Sequence, residues 1–220
     1  LSIAIKTGNE NLLITKGAFT QILEICSRIK SENESIEDID PYKASLEKRF
    51  EQFGIDGLRA IGICYKNIGE GIIDKSDETQ MIFAGFILLQ DPVKEGITET
   101  ISELHKLHVG LKIITGDNKN VARSIALKIG IVNPKILTGA EVFKSSPEAL
   151  NHLVRHTHIF AEVEPQQKER IILALKKSYT VAYIGDGIND VSAINAADVG
   201  ISVENAVDVA REAADFVLME

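Results

Sequence analysis

Apolar and polar positions in the first 90 residues follow the two-residue period of strands in some segments and the 3.6-residue period of helices in others. Strands are predicted over residues 2–6, 11–15, 58–66 and 81–90. A turn at residues 7–9 is expected to join the first two strands, because a glycine and an asparagine stand there.

Two helices are predicted between these strands. The first carries its apolar residues on one face, at Phe19, Ile22, Leu23, Cys26 and Ile29. The second is expected to begin at Asp40-Pro41 and to bury Leu46, Phe50 and Phe53. The acidic stretch 31–40 is expected to form a solvated loop.

The second part of the chain, from residue 91 onward, alternates strands with helices. Strands are predicted at 111–114, 158–161 and 181–184. Helices are predicted around Ile97, Ile101 and Leu104, around Val121 and Ile125, after Pro165 and after Asn189. Such alternation is typical of right-handed βαβ units, which build a parallel sheet with helices on both faces. We therefore predict an α/β chain with a domain boundary near Asp91-Pro92.

Composition indicates an ordinary globular protein, with 220 residues of which 45% are hydrophobic and 25% are charged. The 32 acidic residues outnumber the 24 basic ones, for a net charge of −8, and no basic tract stands out. Nucleic acid is therefore not an expected partner. Cys26 and Cys64 lie in apolar segments without a CxxC pair, which favours a reduced, cytosolic core.

The chain shows no sign of crossing a membrane by itself. Its longest apolar run, residues 81–89, is far shorter than the about 20 residues that a spanning helix needs. It carries no signal peptide and begins with Leu1, so we expect it to be a piece of a longer protein.

Two predicted strands end in acidic, glycine-containing turns. Residues 111–114 run into Thr115-Gly116-Asp117, and residues 181–184 run into Gly185-Asp186-Gly187-Ile188-Asn189-Asp190. Ligands of parallel sheets bind beyond the carboxyl ends of the strands, where the N–H groups of the following helices also point. The Thr115 hydroxyl, the Asn189 amide and these N–H groups can therefore hold phosphate oxygens.

The carboxylates of Asp117, Asp186 and Asp190 need a cation between them and a phosphate. At a separation of ~5 Å and an effective dielectric of ~20, each pair would repel by about 3 kcal/mol. Oxygen ligands of this kind suit Mg²⁺. The alternative is that Asp117 and Asn189 only cap helices. Either turn alone leaves the two interpretations about even, whereas both turns together favour a site.

Lys168 supplies positive charge near these turns. It lies one turn into the helix that Pro165 opens, where the helix dipole disfavours a cation by about 0.3–1 kcal/mol. A phosphate held against the ammonium would offset that cost. A surface lysine is the alternative interpretation.

Six motifs in order resemble those of the P-type cation-transporting ATPases. They are Lys16-Gly17-Ala18, Gly57-Leu58-Arg59, Asp91-Pro92-Val93-Lys94, Thr115-Gly116-Asp117, Pro165-Gln166-Gln167-Lys168 and the turn 185–190. The resemblance covers essentially the whole chain. The closing stretch, residues 197–215, is most similar to the magnesium-transporting branch.

The resemblance implies two domains. Residues 1–88 would be the C-terminal part of an α+β nucleotide-binding domain, and residues 89–220 most of a phosphorylation domain of haloacid-dehalogenase type. Lys16, Gly17 and Arg59 would contact ATP, and Asp91 would lie at the hinge near the ribose.

The resemblance also implies the roles in the second domain. Thr115, Gly116 and Asn189 would hold the transferred phosphoryl group, and Lys168 would neutralise it. Asp117, in the turn of Thr115 and Gly116, would be a further catalytic residue. Asp186 would ligate Mg²⁺, with Asp190 supporting the cluster.

The phosphorylated aspartate of that family stands in an Asp-Lys-Thr-Gly-Thr motif, which this sequence lacks. It is expected upstream of Leu1, so the chain by itself should be inactive. The resemblance thus implies a portion of an ATP-driven Mg²⁺ pump that forms an aspartyl-phosphate and lies on the cytoplasmic side of a membrane. Its partners would be ATP, Mg²⁺, the transported cation and the rest of the same polypeptide. A non-catalytic nucleotide- or phosphate-binding module and a stand-alone phosphatase of the same fold remain the alternatives.

Overall fold

Two units of structure make up the chain, Leu1–Pro92 and Val93–Glu220, in the computed structural model. The structure describes residues 1–7, 10–31, 33–69, 74–90 and 92–219. Two features expected from the sequence, most of the turn at residues 7–9 and Asp91, lie outside the described residues.

The first unit is built on a mixed sheet whose strand order is β1-β2-β5-β6-β3-β4. Neighbouring strands run antiparallel except β3 and β6, which are parallel. The elements are β1 (Ser2–Thr7), β2 (Glu10–Gly17), α1 (Phe19–Ile25), β3 (Cys26–Lys30), β4 (Ile36–Asp38), α2 (Lys43–Ile55), β5 (Arg59–Ile68) and β6 (Met81–Leu89). The four strands expected in this part of the chain are therefore present.

Helices α1 and α2 pack on one face of this sheet, over a core that includes Phe19, Leu46, Cys64 and Phe83. Helix α1 lies close to strand β5 at Gly62, where a Cβ atom would lie 3.0 Å from the Cβ of Ile22. Both cysteines are buried in this core with free thiols, in keeping with the reduced core expected from the sequence.

The first predicted helix is shorter than expected. It ends at Ile25, and the apolar residues Cys26 and Ile29 belong to strand β3 instead. A spacing of three normally turns side chains to opposite faces of a strand, but the register shifts between Cys26 and Arg28, so both face the core. The prediction of a loop over residues 31–40 is also wrong in part, because residues 36–38 form the edge strand β4.

The second unit contains two parallel sheets of three strands each, ordered β7-β9-β8 and β10-β11-β12. Its elements are α3 (Ile97–Lys106), β7 (Ile113–Ile114), α4 (Lys119–Lys128), β8 (Ile136–Thr138), α5 (Gly139–Lys144), α6 (Pro147–His156), β9 (Ile159–Ala161), α7 (Pro165–Leu175), β10 (Ala182–Ile184), α8 (Val191–Ala196), β11 (Val199–Val203), α9 (Asp208–Ala213) and β12 (Phe216–Leu218). The predicted alternation of parallel strands and helices is present, but the strands are divided between two sheets.

One helix packs into the hydrophobic clusters of both sheets. Ile171 of α7 is buried with Phe160 of β9, whereas the next residue, Ile172, is buried with Tyr183 of β10. Ile114 of β7 also packs against both clusters. Helix α7, which carries Lys168, is therefore fixed by the cores of both sheets.

The described helices are short, with α2 reaching 13 residues and α7 reaching 11. A bilayer crossing takes about 20 residues. Among the described residues, no helix has both the length and the apolar character that a membrane span requires.

Candidate functional site

Asp190 is the centre of a hydrogen-bonded cluster at the carboxyl end of strand β10. It closes a 3-10 turn, Ile188–Asp190, that leads into helix α8. Its Oδ1 accepts hydrogen bonds from the Nζ of Lys168 at 2.7 Å and from the hydroxyl of Tyr183 at 2.6 Å. Its Oδ2 accepts one from the backbone N–H of Gly187 at 3.1 Å. Asp190 is only 8% exposed, so these donors replace water.

The surroundings of Asp190 stabilise its charged form. Burial by itself would raise the pKa of Asp190, but the hydrogen bonds from Lys168 and Tyr183, the Lys168 charge and the Gly187 N–H outweigh burial and lower the pKa. Burial raises the pKa of Tyr183, and the hydrogen bond to Asp190 adds to that effect. At neutral pH the cluster therefore holds an aspartate ion and a protonated tyrosine.

Gly185 lets the backbone pass close to this cluster. A Cβ atom there would lie 2.5 Å from the Cβ of Asp190 and 3.0 Å from Cε1 of Tyr183. The backbone is also tied on its other side, because the Gly185 carbonyl accepts from the buried hydroxyl of Ser202 at 2.9 Å. Any side chain at this position would displace Asp190 or Tyr183.

The turn after β7 is held by Thr115. Its Oγ1 accepts from the N–H of Asp117 and donates to Oδ2 of the same residue, both at 3.1 Å. Backbone hydrogen bonds from Glu162 to Asp117 and from Val163 to Thr115 attach this turn to the segment that follows β9. Thr115, Gly116 and Asp117 are therefore a fixed, structured turn at the carboxyl end of β7.

The interpretation of Asp117 and Asn189 as helix caps is not supported. Helix α4 is capped by Asn118, whose Oδ1 accepts from the N–H groups of Asn120 and Val121. Helix α8 has Asp190 at its N-cap position, without a side-chain capping bond. Asn189 is exposed beside it.

Asp186 and Asp190 differ in their fitness as Mg²⁺ ligands. Asp186 is exposed and, within the described residues, its carboxylate accepts no hydrogen bond, so its oxygens are accessible; its role as a Mg²⁺ ligand stays a prediction. Both oxygens of Asp190 already accept hydrogen bonds, and its role as a metal ligand stays a prediction. Across the parts of the chain described here, no group of three or more His, Cys, Asp or Glu side chains could hold a metal.

The nucleotide residues expected in the first unit lie on neighbouring strands. Lys16 in β2 pairs with Ile63 in β5, and Arg59 starts β5 four residues earlier. Because side chains alternate along a strand, Lys16 and Arg59 project from the same face of the sheet. Gly17 follows Lys16 and pairs with Gly62.

The cluster contains one residue that sequence reasoning missed. Tyr183 was assigned only to a strand, whereas its hydroxyl contacts the same oxygen as Lys168. The available signal was a tyrosine in the middle of an otherwise apolar strand, because a buried tyrosine hydroxyl nearly always has a hydrogen-bond partner.

A family model, haloacid dehalogenase-like hydrolase, matches residues 17–198. The chain belongs to the haloacid dehalogenase-like hydrolase family. This membership confirms the fold class expected from the motifs, an α/β domain of haloacid-dehalogenase type with parallel strands.

Curated relatives of this family member are P-type cation-transporting ATPases. The magnesium-transporting ATPase, P-type 1 of Escherichia coli is 34% identical over 224 residues, which cover 100% of this chain and 25% of that protein. The calcium-transporting ATPase 1 of Saccharomyces cerevisiae is 32% identical over 96% of the chain and 23% of its own length. A calcium-transporting ATPase of Listeria monocytogenes is 30% identical over 100% of the chain and 26% of its own length. The whole-chain resemblance to P-type ATPases is confirmed, and the chain spans about a quarter of these relatives.

Proposed function

We propose that the chain is the ATP-binding and phosphorylation portion of an ATP-driven cation pump that works through an aspartyl-phosphate, with Mg²⁺ as the transported ion. The observation that carries this proposal is the buried Lys168–Asp190 pair at the carboxyl end of β10. It stands in a chain that matches P-type ATPases over its whole length. The magnesium branch is favoured by the closing stretch 197–215 and by the magnesium-transporting relative.

Lys168 is proposed to neutralise the transferred phosphoryl group. An ammonium group has three N–H donors, and the hydrogen bond to Asp190 uses one of them. The remaining donors can hold phosphoryl oxygens while Asp190 holds the ammonium in place. Phosphoryl transfer depends mostly on positioning and electrostatic stabilisation, which such a pair supplies.

The two strand-end turns are proposed to hold the rest of the phosphoryl group. The Thr115 hydroxyl, the Gly116 N–H and the Asn189 amide supply donors without adding negative charge. Asp117 orients Thr115 through their mutual hydrogen bonds. Asp186 would hold Mg²⁺, which when bound offsets the phosphate charge.

The nucleophilic aspartate is proposed to precede Leu1 in a longer polypeptide. Among the described strands, β7 and β10 are each at the end of a sheet, so each has an unpaired edge. Ile114 of β7 and Val181, directly before β10, pack against the same two hydrophobic clusters. A parallel strand inserted between these edges would end beside Thr115 and Asp186, where the phosphoryl group is expected.

ATP is proposed to bind the first unit through Lys16, Gly17 and Arg59, with Asp91 near the ribose. The shared sheet face of Lys16 and Arg59 is consistent with one anionic ligand contacting both. The domain limits proposed for these roles are 1–88 and 89–220. Because only part of the nucleotide domain would be present, this chain alone should bind ATP weakly. Low-micromolar binding in calorimetry would contradict that expectation.

The full-length protein that contains this chain provides the main test. Incubation with radioactive ATP should give an acid-stable phosphoenzyme that hydroxylamine cleaves, as an acyl phosphate requires. Asp186→Asn should abolish labelling, whereas Asp208→Asn, at an exposed surface aspartate paired with Arg211, should label normally. Protein reconstituted into vesicles should then show ATP-dependent movement of Mg²⁺ rather than Ca²⁺ with ion-specific dyes.

Two other results would replace the proposal. Turnover of a small phosphate ester by the 220-residue chain alone would indicate a stand-alone phosphatase. Tight ATP binding by the full-length protein without any phosphoenzyme would indicate a nucleotide-binding module.

A further inference from the structure

Three elements of the second unit meet at one carboxylate. Lys168 comes from helix α7, Tyr183 from strand β10, and Asp190 from the turn between β10 and α8. Lys168 and Tyr183 both donate to Oδ1 of Asp190, at 2.7 and 2.6 Å. The family roles considered above involve Lys168 and Asp190 and leave the tyrosine hydroxyl without a function.

We propose that Tyr183 is a positioning residue for Lys168: its hydroxyl fixes the Asp190 carboxylate, and that carboxylate fixes the direction of the Lys168 ammonium. The inference rests on the proposed function, because it concerns the lysine that would neutralise the phosphoryl group. It assigns Tyr183 no contact with the phosphoryl group itself.

Fixing the carboxylate takes more than the lysine. The terminal torsion of an aspartate is broad, so a single flexible partner leaves its plane free to turn. Here the Gly187 N–H holds Oδ2 from the backbone, and the Tyr183 hydroxyl holds Oδ1 from a rigid ring. With both oxygens held, Asp190 has one orientation.

The tyrosine also restricts where the ammonium can bind. Each carboxylate oxygen has two lone-pair directions, and Tyr183 takes one of those on Oδ1. The Lys168 side chain is a long stem that ends in a compact charge, so its acceptor decides where the charge lies. The lysine is left with the remaining direction on Oδ1, which defines the ammonium position.

The ring of Tyr183 is itself tightly held. Tyr183 is 9% exposed and belongs to the hydrophobic cluster that contains Ile172, Ala193 and Ile194. On the strand, Gly185 leaves just enough room for the ring and for Asp190, and Gly200 pairs with Tyr183 on β11. Phenylalanine would fill the same space, so Tyr183→Phe removes the hydrogen bond and keeps the packing.

The test uses the full-length protein and compares Tyr183→Phe with Tyr179→Phe, a matched change at an exposed tyrosine after α7. Three quantities are measured: the initial rate of phosphoenzyme formation at saturating ATP, the ATP concentration for half-maximal rate, and the thermal unfolding midpoint. Tyr183→Phe should lower the rate about tenfold, the effect of losing one hydrogen bond to a charged group. Its half-saturating ATP concentration should stay within about twofold of wild type, because the change affects positioning at the reacting group rather than ATP binding. Tyr179→Phe should match wild type in all three measurements.

A double variant tests whether the hydroxyl acts through Asp190. If it does, Tyr183→Phe should reduce the rate much less in an Asp190→Asn background than in wild type. If the rate reductions of the two single variants multiply in the double variant, the inference is overturned. An unchanged rate in Tyr183→Phe, a lowered unfolding midpoint at unchanged rate per folded molecule, or a loss confined to the half-saturating ATP concentration would also overturn it.

Failure of the proposed function is distinguishable from failure of this inference. A wild-type protein that forms no phosphoenzyme refutes the function, and the positioning role falls with it. A wild-type protein that is labelled normally, together with an unaffected Tyr183→Phe variant, refutes the positioning role alone.

Discussion

The Nζ of Lys168 lies 2.7 Å from Oδ1 of Asp190, and the two side chains are only 12% and 11% exposed. Removing one partner of such a pair leaves a buried charge without its counterion, which is far more costly than the pair is stabilising. Lys168→Met should therefore lower the free energy of unfolding of the chain by about 3 kcal/mol. Urea denaturation measures this change. Lys177→Met, at an exposed lysine nine residues later on the chain, should stay within about 0.5 kcal/mol of wild type.

Gly185→Ala should destabilise the second unit, because the added methyl group has no room between Asp190 and Tyr183. Displacing these buried side chains is expected to cost about 2 kcal/mol. Gly110→Ala is the control, since a Cβ atom there meets nothing within 4 Å. Equal unfolding midpoints for Gly185→Ala and wild type would show that the strand end can shift without cost.

Thr115→Val tests the contribution of the Thr115 hydroxyl while keeping the side chain close to its original size. Valine fills similar space but loses the hydrogen bonds to the N–H and carboxylate of Asp117. We expect a loss of about 1 kcal/mol in stability and a clear loss of phosphoenzyme in the full-length protein. Thr115→Ser keeps the hydroxyl and should retain most of the labelling. If both variants label alike, the hydroxyl has no part in phosphoryl binding.

Asp198 should make the stability of the folded chain decrease at acidic pH. The N–H of Val181 and the ammonium of Lys176 hold the pKa of Asp198 below its usual value. A carboxyl with a lower pKa in the folded state contributes stability above its unfolded pKa of about 4, and that contribution is lost as the pH falls through the folded value. Asp198→Asn should lower the thermal midpoint at neutral pH, and the difference from wild type should shrink below a pH of about 4. A difference that is constant with pH would contradict this assignment.

The strands of the first unit were predictable because β1, β2, β5 and β6 are rich in apolar and β-branched residues. The end of helix α1 was not predictable in this way. Apolar residues at positions 22, 26 and 29 satisfy a helical period, and only the pairing of β3 with β6 and the bulge at Cys26 decide for a strand. Pairing between distant segments overrides local pattern here.

Residue types at the ends of the predicted strands were enough to predict where the candidate site lies, but not all of its contacts. Thr115, Asp117 and Asp190 are predicted site residues because acidic, glycine-containing turns follow apolar strands, and their roles stay predictions. The contact of Asp190 with Tyr183, seven residues earlier on β10, could not be predicted from the strand pattern, because the turn geometry around Gly185 brings the two side chains together. The cap at Asn118 was overlooked for a related reason, since Asp117 and Asn118 are equally good capping residues by type.

Helix α7 buries two consecutive side chains, Ile171 and Ile172, in different hydrophobic clusters. Rotation of the helix about its axis would pull at least one of them out of its cluster, so Lys168 keeps a single angular setting with respect to both sheets. Variants that loosen either cluster should therefore disturb the contact between Lys168 and Asp190 even when they lie far from it. Loss-of-function substitutions in this protein are expected along the whole length of α7 and around both of its hydrophobic contacts, rather than at the strand-end turns alone.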